Sequence, residues 1–466
     1  MGDLHGLRGA AGAVMNWKAA KTSALLSLFF IVVYGTTNRL TGLRGNVPSY
    51  FFGWERGLPF VAAMILPYMS IDLFFIAAPF ACGDDRERRV LARRLIAAIL
   101  IAAACFLLLP LRFAFPRPYV DGWLGAIFNN FRELDQPFNQ FPSLHIAIQI
   151  ILLAVYLCHT RGVVRFALCA WFALIAASTL LTYQHHVIDV AGGLALGTLC
   201  IYFFQDQPLR APVVRNARIG VYYLGGALVV AAAAFGLRPC GWLLLWPAIS
   251  LALVAAAYFH LGPGIFRKRE GVLPSLTRLV LGPVLLGQRI SLAYYTSRTR
   301  RWDVISDGLW ISRKLSDDEA REAVESGVTA VVDVTAEFSE ARPFRTVHYR
   351  QMPVLDLTAP TAEQLDEAVE FISTHVEGGG VVCVHCKAGY SRAAAVVGAY
   401  LLAAREARNV EEAVSMLRAA RPRIVIRPEA MRALREYSEH LAADRPQRES
   451  PALAFAGAPS PIALPR

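Results

Sequence analysis

Residues 385–392 read His-Cys-Lys-Ala-Gly-Tyr-Ser-Arg, and the residues before them are Val381, Val382, Cys383 and Val384. A short β-rich apolar run entering a glycine-containing loop, followed by helical spacing over 392–402, predicts a buried strand, a tight turn and a helix. A second buried strand is expected over 330–334 and a further helix over 363–375. Strands alternating with helices from Trp302 onward predict an α/β domain with a central sheet, spanning 302–442. The tail over 443–466 is rich in Pro, Ala and charge and reads as disordered.

A loop between a strand end and a helix N-terminus gathers backbone N–H groups around one point, an arrangement that suits a phosphate dianion. The same field favours a thiolate, which makes Cys386 the candidate nucleophile. Arg392 offers a planar fork to two phosphoryl oxygens as charge develops on them. Ser391 is placed to donate a hydrogen bond to the departing sulfur, and His385 to orient the loop. Lys387, Ala388, Gly389 and Tyr390 form the stretch that would touch the substrate. A leaving alkoxide needs a proton, so a carboxylic acid must reach the site from another loop. Asp356, in Pro353-Val354-Leu355-Asp356-Leu357-Thr358, is the candidate acid. Asp333, inside Val331-Val332-Asp333-Val334, is the rival and is expected to cap or pair structurally.

The other half of the chain is of a different kind. Of 466 residues 55% are hydrophobic and only 18% charged, with a net charge of +11, and mean hydropathy is +0.41. That balance excludes a wholly soluble chain and fits many membrane spans. Eight are expected, at about 22–36, 57–81, 95–111, 142–158, 163–183, 186–204, 219–236 and 241–260, making residues 1–262 an all-α polytopic bundle. The basic residues Arg8, Lys18, Lys21, Arg86, Arg88, Arg89, Arg93, Arg94, Arg161, Arg165, Arg210, Arg215, Arg218, Arg267, Lys268 and Arg269 all fall on one face if the spans alternate. That face is expected to be cytoplasmic. An even span count puts the α/β domain on the same side, in a reducing compartment, of a bacterial inner or cell membrane. The 8 cysteines show no CxxC spacing and predict no disulfide framework. Residues 263–301 mix basic residues with Leu276, Leu279, Val280, Leu281, Val284 and Leu285, and read as a basic amphipathic connector on anionic lipid.

Ionisable residues at a membrane edge are costly, so a cluster of them is a candidate site. Three pieces stand out: Arg117-Pro118, Pro142-Ser143-Leu144-His145, and His185-His186-Val187-Ile188-Asp189. All are expected on the outer face. His185 and Asp189 stand i, i+4 if helical, so the carboxylate would hold the imidazole in one tautomer. His185 could then attack phosphorus, His145 protonate the departing oxygen, and Arg117 balance the transferring charge.

Residues 302–440 resemble the dual-specificity phosphatase family, whose pattern HCxxGxSR is met by His385, Cys386, Gly389, Ser391 and Arg392. The resemblance implies phosphomonoester hydrolysis through a phosphocysteine, with no metal or cofactor. Lys387 and Ala388 make the loop similar to those of lipid-directed members. Residues 60–205 resemble the type 2 phosphatidic acid phosphatase (PAP2) superfamily, with motifs KxxxxxxRP, PSGH and SRxxxxxHxxxD. Arg117-Pro118, then Pro142, Ser143 and His145, then Ser178, His185 and Asp189 keep these motifs. Pro110 replaces the Lys, with Arg112 as a substitute cation, Leu144 replaces Gly, and Thr179 replaces Arg. The lost cations look like the branch of inositol phosphorylceramide and sphingomyelin synthases. The expected partners are the membrane and a phospholipid substrate, with phosphoprotein as the alternative and no nucleic acid.

Overall fold

The computed structural model describes residues 17–134, 136–206, 212–237 and 240–449. Arg8, Arg210 and residues 450–466 of the expected tail lie outside the described residues. The chain divides into two units, Met1–Pro208 and Leu209–Arg466.

The first unit is helical: α1 (Trp17–Gly42), α2 (Ile65–Ala81), α3 (Asp85–Leu108), α4 (Gly122–Leu134), α5 (Leu144–His159), α6 (Gly162–Leu181) and α7 (Val187–Phe203). Polar caps start the helices where the apolar runs begin: Asp84 accepts from Glu87 N at 2.7 Å at α3, and Ser143 from Ile146 N at 3.3 Å at α5. Leu91, Leu95, Ile99, Phe106, Ile151 and Phe172 form the packed interior. Leucines and other apolar side chains such as Leu28, Ile31, Leu73 and Phe166 point outward, as in a bundle whose solvent is lipid. α7 lies close on α5 because it presents glycines there. A Cβ on Gly193 would stand 2.4 Å from the Ser143 carbonyl oxygen, so alanine would force the helices apart. The amphipathic α4 was not foreseen; its 13 residues lie between the spans expected at 95–111 and 142–158.

The second unit opens with α8 (Ala217–Gly236) and α9 (Leu245–Ala256), the latter continued by a π turn over Ala257–Leu261. Among the described residues of both units, six helical segments are long and apolar enough to cross a membrane, while α5 and α7, at 16 and 17 residues, are apolar but shorter. Then follow α10 (Ser275–Val280), α11 (Gly282–Thr296), β1 (Trp302–Ser306), β2 (Leu309–Ser312), α12 (Asp317–Glu325), β3 (Val328–Thr335), β4 (His348–Val354), α13 (Ala362–Glu377), β5 (Val381–His385), α14 (Ser391–Ala403), α15 (Val410–Ala420) and α16 (Pro428–Glu449). The five strands form one sheet in the order β1-β2-β5-β3-β4. Only the β1–β2 pair is antiparallel. Leu365, Ile372, Val396, Leu401 and Leu434 pack on one face and Ala320, Ala323 and Phe344 on the other. Both faces are thus covered, which explains why β3 and β5 read as continuous apolar runs rather than alternating ones. The last helix reaches Glu449, past the expected boundary at 442.

The connector departs from expectation. Arg267 and Lys268 are buried rather than turned toward lipid. Lys268 Nζ pairs with Asp333 and donates to the Thr335 carbonyl at 2.9 Å. Gly271 N donates to Gln351 Oε1 at 2.9 Å, and Gly271 O accepts from Glu340 N at 2.6 Å. A buried carboxylate at the end of β3 demands a cation, and the connector supplies it, so this segment belongs to the α/β domain. α11 alone keeps an exposed apolar row, Leu286, Ile290 and Tyr294.

Candidate functional sites

β5 ends at His385 and α14 begins at Ser391, so residues 386–390 wrap the helix N-terminus at the carboxyl edge of the sheet. Gly389 is required there: its φ is +66°, and a Cβ would stand 2.6 Å from the Ser312 carbonyl oxygen. Cys386 is 3% exposed and lines a pocket of about 330 Å³ with Asp356, Lys387, Ser391, Arg392 and Tyr295. Arg392 is fixed by five contacts, two to Glu337 at 2.7 and 3.0 Å, two to the carbonyls of Val354 at 2.8 Å and Val334 at 3.4 Å, and one to Asp356 Oδ1 at 3.3 Å. Ser391 Oγ accepts from Arg427 N at 3.2 Å. The neighbouring Cys383 is no rival nucleophile, because burial pushes its thiol up to about 12.

Behind the loop, His385 Nε2 meets Glu340 Oε2 at 2.5 Å, and Glu340 Oε1 accepts from Lys314 Nζ at 2.7 Å. Lys314 N donates to the Lys387 carbonyl at 3.1 Å, which ties this chain to the loop. Burial would raise the Glu340 carboxyl, but His385 and Lys314 hold it well below its usual range. Asp333 is fully buried, pairs with Lys268 and accepts from Tyr349 Oη at 2.7 Å. Asp333, Glu340 and His385 offer ligand atoms within 4.8 Å of one another. The ammonium groups of Lys268 and Lys314 already occupy those carboxylates, so the cluster is a buried ion-pair network rather than a vacant cation site.

Asp356 lines the same pocket as Cys386. Its carboxylate pairs with Lys387 and lies 3.3 Å from Arg392. Burial raises its carboxyl, and Arg392 followed by Lys387 outweigh that, leaving it below the usual range and ionised. Its backbone is held from outside the sheet. Tyr258 Oη, in the π turn ending α9, donates to the Asp356 carbonyl at 2.7 Å. Asn216, which caps α8, donates to the Leu357 carbonyl at 2.9 Å. Gln288 of α11 accepts from Lys387 Nζ at 3.1 Å and donates to Tyr223 Oη of α8 at 3.4 Å. The Tyr223 ring stacks on Tyr258 at 5.5 Å.

In the first unit His145 sits in the first turn of α5 with its ring stacked on Tyr68 at 4.2 Å. A cavity of about 370 Å³ brings His145 and His185 together with Tyr68, Asp72, Asn139 and apolar side chains of α1 and α2. Four other expected residues do not join them. His185 and Asp189 are not a helical pair, since α7 begins only at Val187, and their Nδ1–Oδ2 separation of 3.8 Å exceeds a hydrogen bond. Asp189 instead accepts from His186 N at 2.8 Å and caps α7. Ser143 caps α5. Arg117 Nε donates to the Tyr183 carbonyl at 3.1 Å, and Arg112 is exposed; neither lines the cavity. His186 is structural: Nδ1 pairs with the buried Glu55 at 2.9 Å, Nε2 accepts from Ala114 N at 3.1 Å, and its ring stacks on Phe113.

Residues 311–440 match the family "Dual specificity phosphatase, catalytic domain", and residues 91–211 match the PAP2 superfamily. Two separate segments of the chain are thus each similar to a different phosphatase family. It is 36% identical over 98 residues to the phosphatidylglycerophosphatase and protein-tyrosine phosphatase 1 of Rattus norvegicus, covering 21% of this chain and 50% of that one. It is 32% identical over 125 residues to dual specificity protein phosphatase 5 of Homo sapiens, covering 27% of this chain and 32% of the relative. The chain thus spans a third to a half of the length of these curated relatives. The solved structure of Tk-PTP in its active form matches with 30% identity over 30% of this chain and 97% of that one, at a TM-score of 0.28.

Glu337 and Glu340 of the phosphatase domain escaped the sequence reading. A fully buried Arg392 and a buried His385 each require a carboxylate, and both glutamates follow β3, whose carboxyl end lies beside that of β5. That adjacency was the available signal. Tyr258, Asn216 and Gln288 precede the matched segment altogether, and no motif marks them.

Proposed function

We propose that the protein is a membrane-bound enzyme with two phosphate-handling sites, of which the cysteine site hydrolyses the phosphomonoester of a phospholipid. The observation that carries the lipid assignment is the anchorage of the acid loop: Asp356 and Leu357 hang by their carbonyls from Tyr258 and Asn216, at adjoining ends of the apolar helices α8 and α9. On the expected even number of spans with basic loops on the cytoplasmic side, this pocket would face the inner leaflet, with a lipid headgroup within reach of Cys386. The thiolate attacks phosphorus and the phosphorus–oxygen bond to the alcohol breaks, with Asp356 giving its proton to the leaving oxygen. Water then displaces the sulfur, whose departure Ser391 assists, and phosphate is released. Asp356 must gain a proton first. A phosphoryl group over Cys386 supplies this condition, because its negative charge competes for Arg392 and Lys387 and weakens their hold on the carboxylate.

His145 and His185, lining one cavity that reaches between α1 and α2, support lipid phosphate hydrolysis or headgroup transfer at the second site. The alternative is a phosphoprotein phosphatase with a non-catalytic, lipid-sensing membrane region. Two observations favour it: among the described residues no Lys or Arg lines that cavity, and His185 lacks the expected bond to Asp189. Full-length protein in nanodiscs, assayed on phosphatidic acid, phosphatidylglycerophosphate, phosphoinositides and phosphotyrosine peptide, separates the readings. Cys386→Ser is expected to abolish hydrolysis of the charged phosphomonoesters, and His185→Ala to abolish the remaining lipid turnover. Lipid turnover that survives His185→Ala and disappears entirely in Cys386→Ser refutes the two-site reading.

A further inference from the structure

Beside the Cys386 pocket lies a second pocket of about 280 Å³, and Tyr390 lines both. Its wall carries Arg298, Arg300, Arg421 and Arg423 against the single carboxylate of Asp303. Two of the arginines are already engaged. Arg300 reaches Asp303 Oδ1 at 3.2 Å and Arg421 reaches Oδ2 at 2.6 Å. Arg421 also donates to the carbonyls of Arg300, at 3.1 Å, and Ala388, at 3.2 Å. The floor of this pocket is therefore bonded to the catalytic loop itself. The other two have no carboxylate partner among the described residues: the Arg298 guanidinium stacks on Tyr294 at 3.7 Å, and Arg423 is exposed. One further group is unsatisfied. Arg421 is only 3% exposed, yet its Nε–H has no acceptor, a state that calls for an explanation in a buried donor.

An excess of guanidinium over carboxylate, a buried donor without an acceptor and a wall shared with the phosphate-binding loop describe a place for an anion. We propose that this pocket is a second anion subsite, which takes another phosphate group of the substrate whose phosphomonoester lies over Cys386. The inference rests on the cysteine-phosphatase reading and narrows its substrate to headgroups bearing at least two phosphates. Half the subsite, Arg298 and Arg300, comes from the connector and precedes the segment that matches the phosphatase family. The selectivity is therefore a property of this chain rather than of its catalytic loop.

The test compares steady-state hydrolysis by the full-length protein of phosphatidylinositol bisphosphate against phosphatidylinositol monophosphate in mixed micelles. A parallel arm compares soluble inositol bisphosphate with inositol monophosphate. One charge-assisted contact predicts a KM lower by about tenfold for the bisphosphate. Replacing both arginines, Arg298→Glu with Arg423→Glu, should remove that advantage, and Arg298→Lys with Arg423→Lys should keep most of it. An advantage in both arms assigns the subsite to the headgroup alone, and one confined to micelles assigns it to a bilayer-presented headgroup; each supports the proposal. Equal KM values in both arms, or an advantage that survives charge reversal, overturn it. If the reversed variant fails to fold, titration of full-length Cys386→Ser with the two inositol phosphates decides, and equal affinity overturns the proposal. Hydrolysis of soluble inositol monophosphate by Cys386→Ser combined with His185→Ala would instead defeat the underlying cysteine reading.

Discussion

Lys387 sits where a headgroup-binding lysine is expected, but in the structure its ammonium is bonded to the candidate acid. Replacing it with methionine separates the two roles. The Lys387 and Asp356 side chains are 10% and 20% exposed, so solvent screens the pair only in part. A unit charge about 4 Å away at an effective dielectric near 20 is worth about 4 kcal/mol. Reorganisation, residual water and the retained Arg392 reduce that, and about 1.4 kcal/mol is a conservative remainder, equivalent to tenfold in the protonated fraction of Asp356. The sign follows from the direction of the shift. Asp356 is held below its usual range by Arg392 and Lys387; removing one cation raises it, and the acid stays protonated to higher pH. For a substrate with a poor leaving group, such as an alkyl phosphate, kcat of Lys387→Met at neutral pH should rise about tenfold, and the alkaline limb of its pH profile should move up. KM should worsen, since a binding cation is gone. An aryl phosphate with a good leaving group needs little protonation and should show no rise in kcat. Stopped-flow or steady-state pH profiles on the two substrate types measure this. A kcat that falls on both, with the alkaline limb unmoved, refutes Asp356 as an acid restrained by Lys387.

Tyr258→Phe removes the donor to the Asp356 carbonyl and should lower kcat on alkyl phosphates about three- to tenfold, the value of one neutral hydrogen bond, with a smaller effect on aryl phosphates. An equal loss on both would show a general disturbance instead of misplacement of the acid. Lys268→Met leaves the buried Asp333 without its cation and should destabilise the α/β domain by about 3–5 kcal/mol, read as a lowered denaturant midpoint of its unfolding transition.

The strand–loop–helix around Cys386 was legible because its pattern is local. Cys386, Gly389, Ser391 and Arg392 are neighbours in sequence, and the strand before them and helix after them have clear periods. The apolar helices were legible for the same reason, each being a continuous run. What failed were the relations that only the tertiary fold creates. Arg267 and Lys268 look like a membrane-facing basic patch because their charge is visible in sequence while the carboxylate of Asp333 that claims Lys268 is 65 residues away. His185 and Asp189 have helical spacing, but the helix that would align them starts two residues too late. Its first turn needs a capping carboxylate, and Asp189 serves that need before it can serve the histidine.

The same distinction bears on where the enzyme ends. The segment that matches the phosphatase family begins at residue 311 and holds Cys386, Arg392 and Asp356. The groups that position Asp356 and restrain Lys387 are Asn216, Tyr258 and Gln288, all earlier in the chain. Lys268, which neutralises Asp333 beneath the loop, is earlier too. The candidate nucleophile and its cradle thus lie within the matched segment, whereas the position of the candidate acid depends on groups in α8, α9 with its π turn, and α11. If Asp356 is the acid, a displacement of those helices should change proton delivery without touching the thiolate, which is the outcome that the Tyr258→Phe comparison of alkyl and aryl phosphates reads.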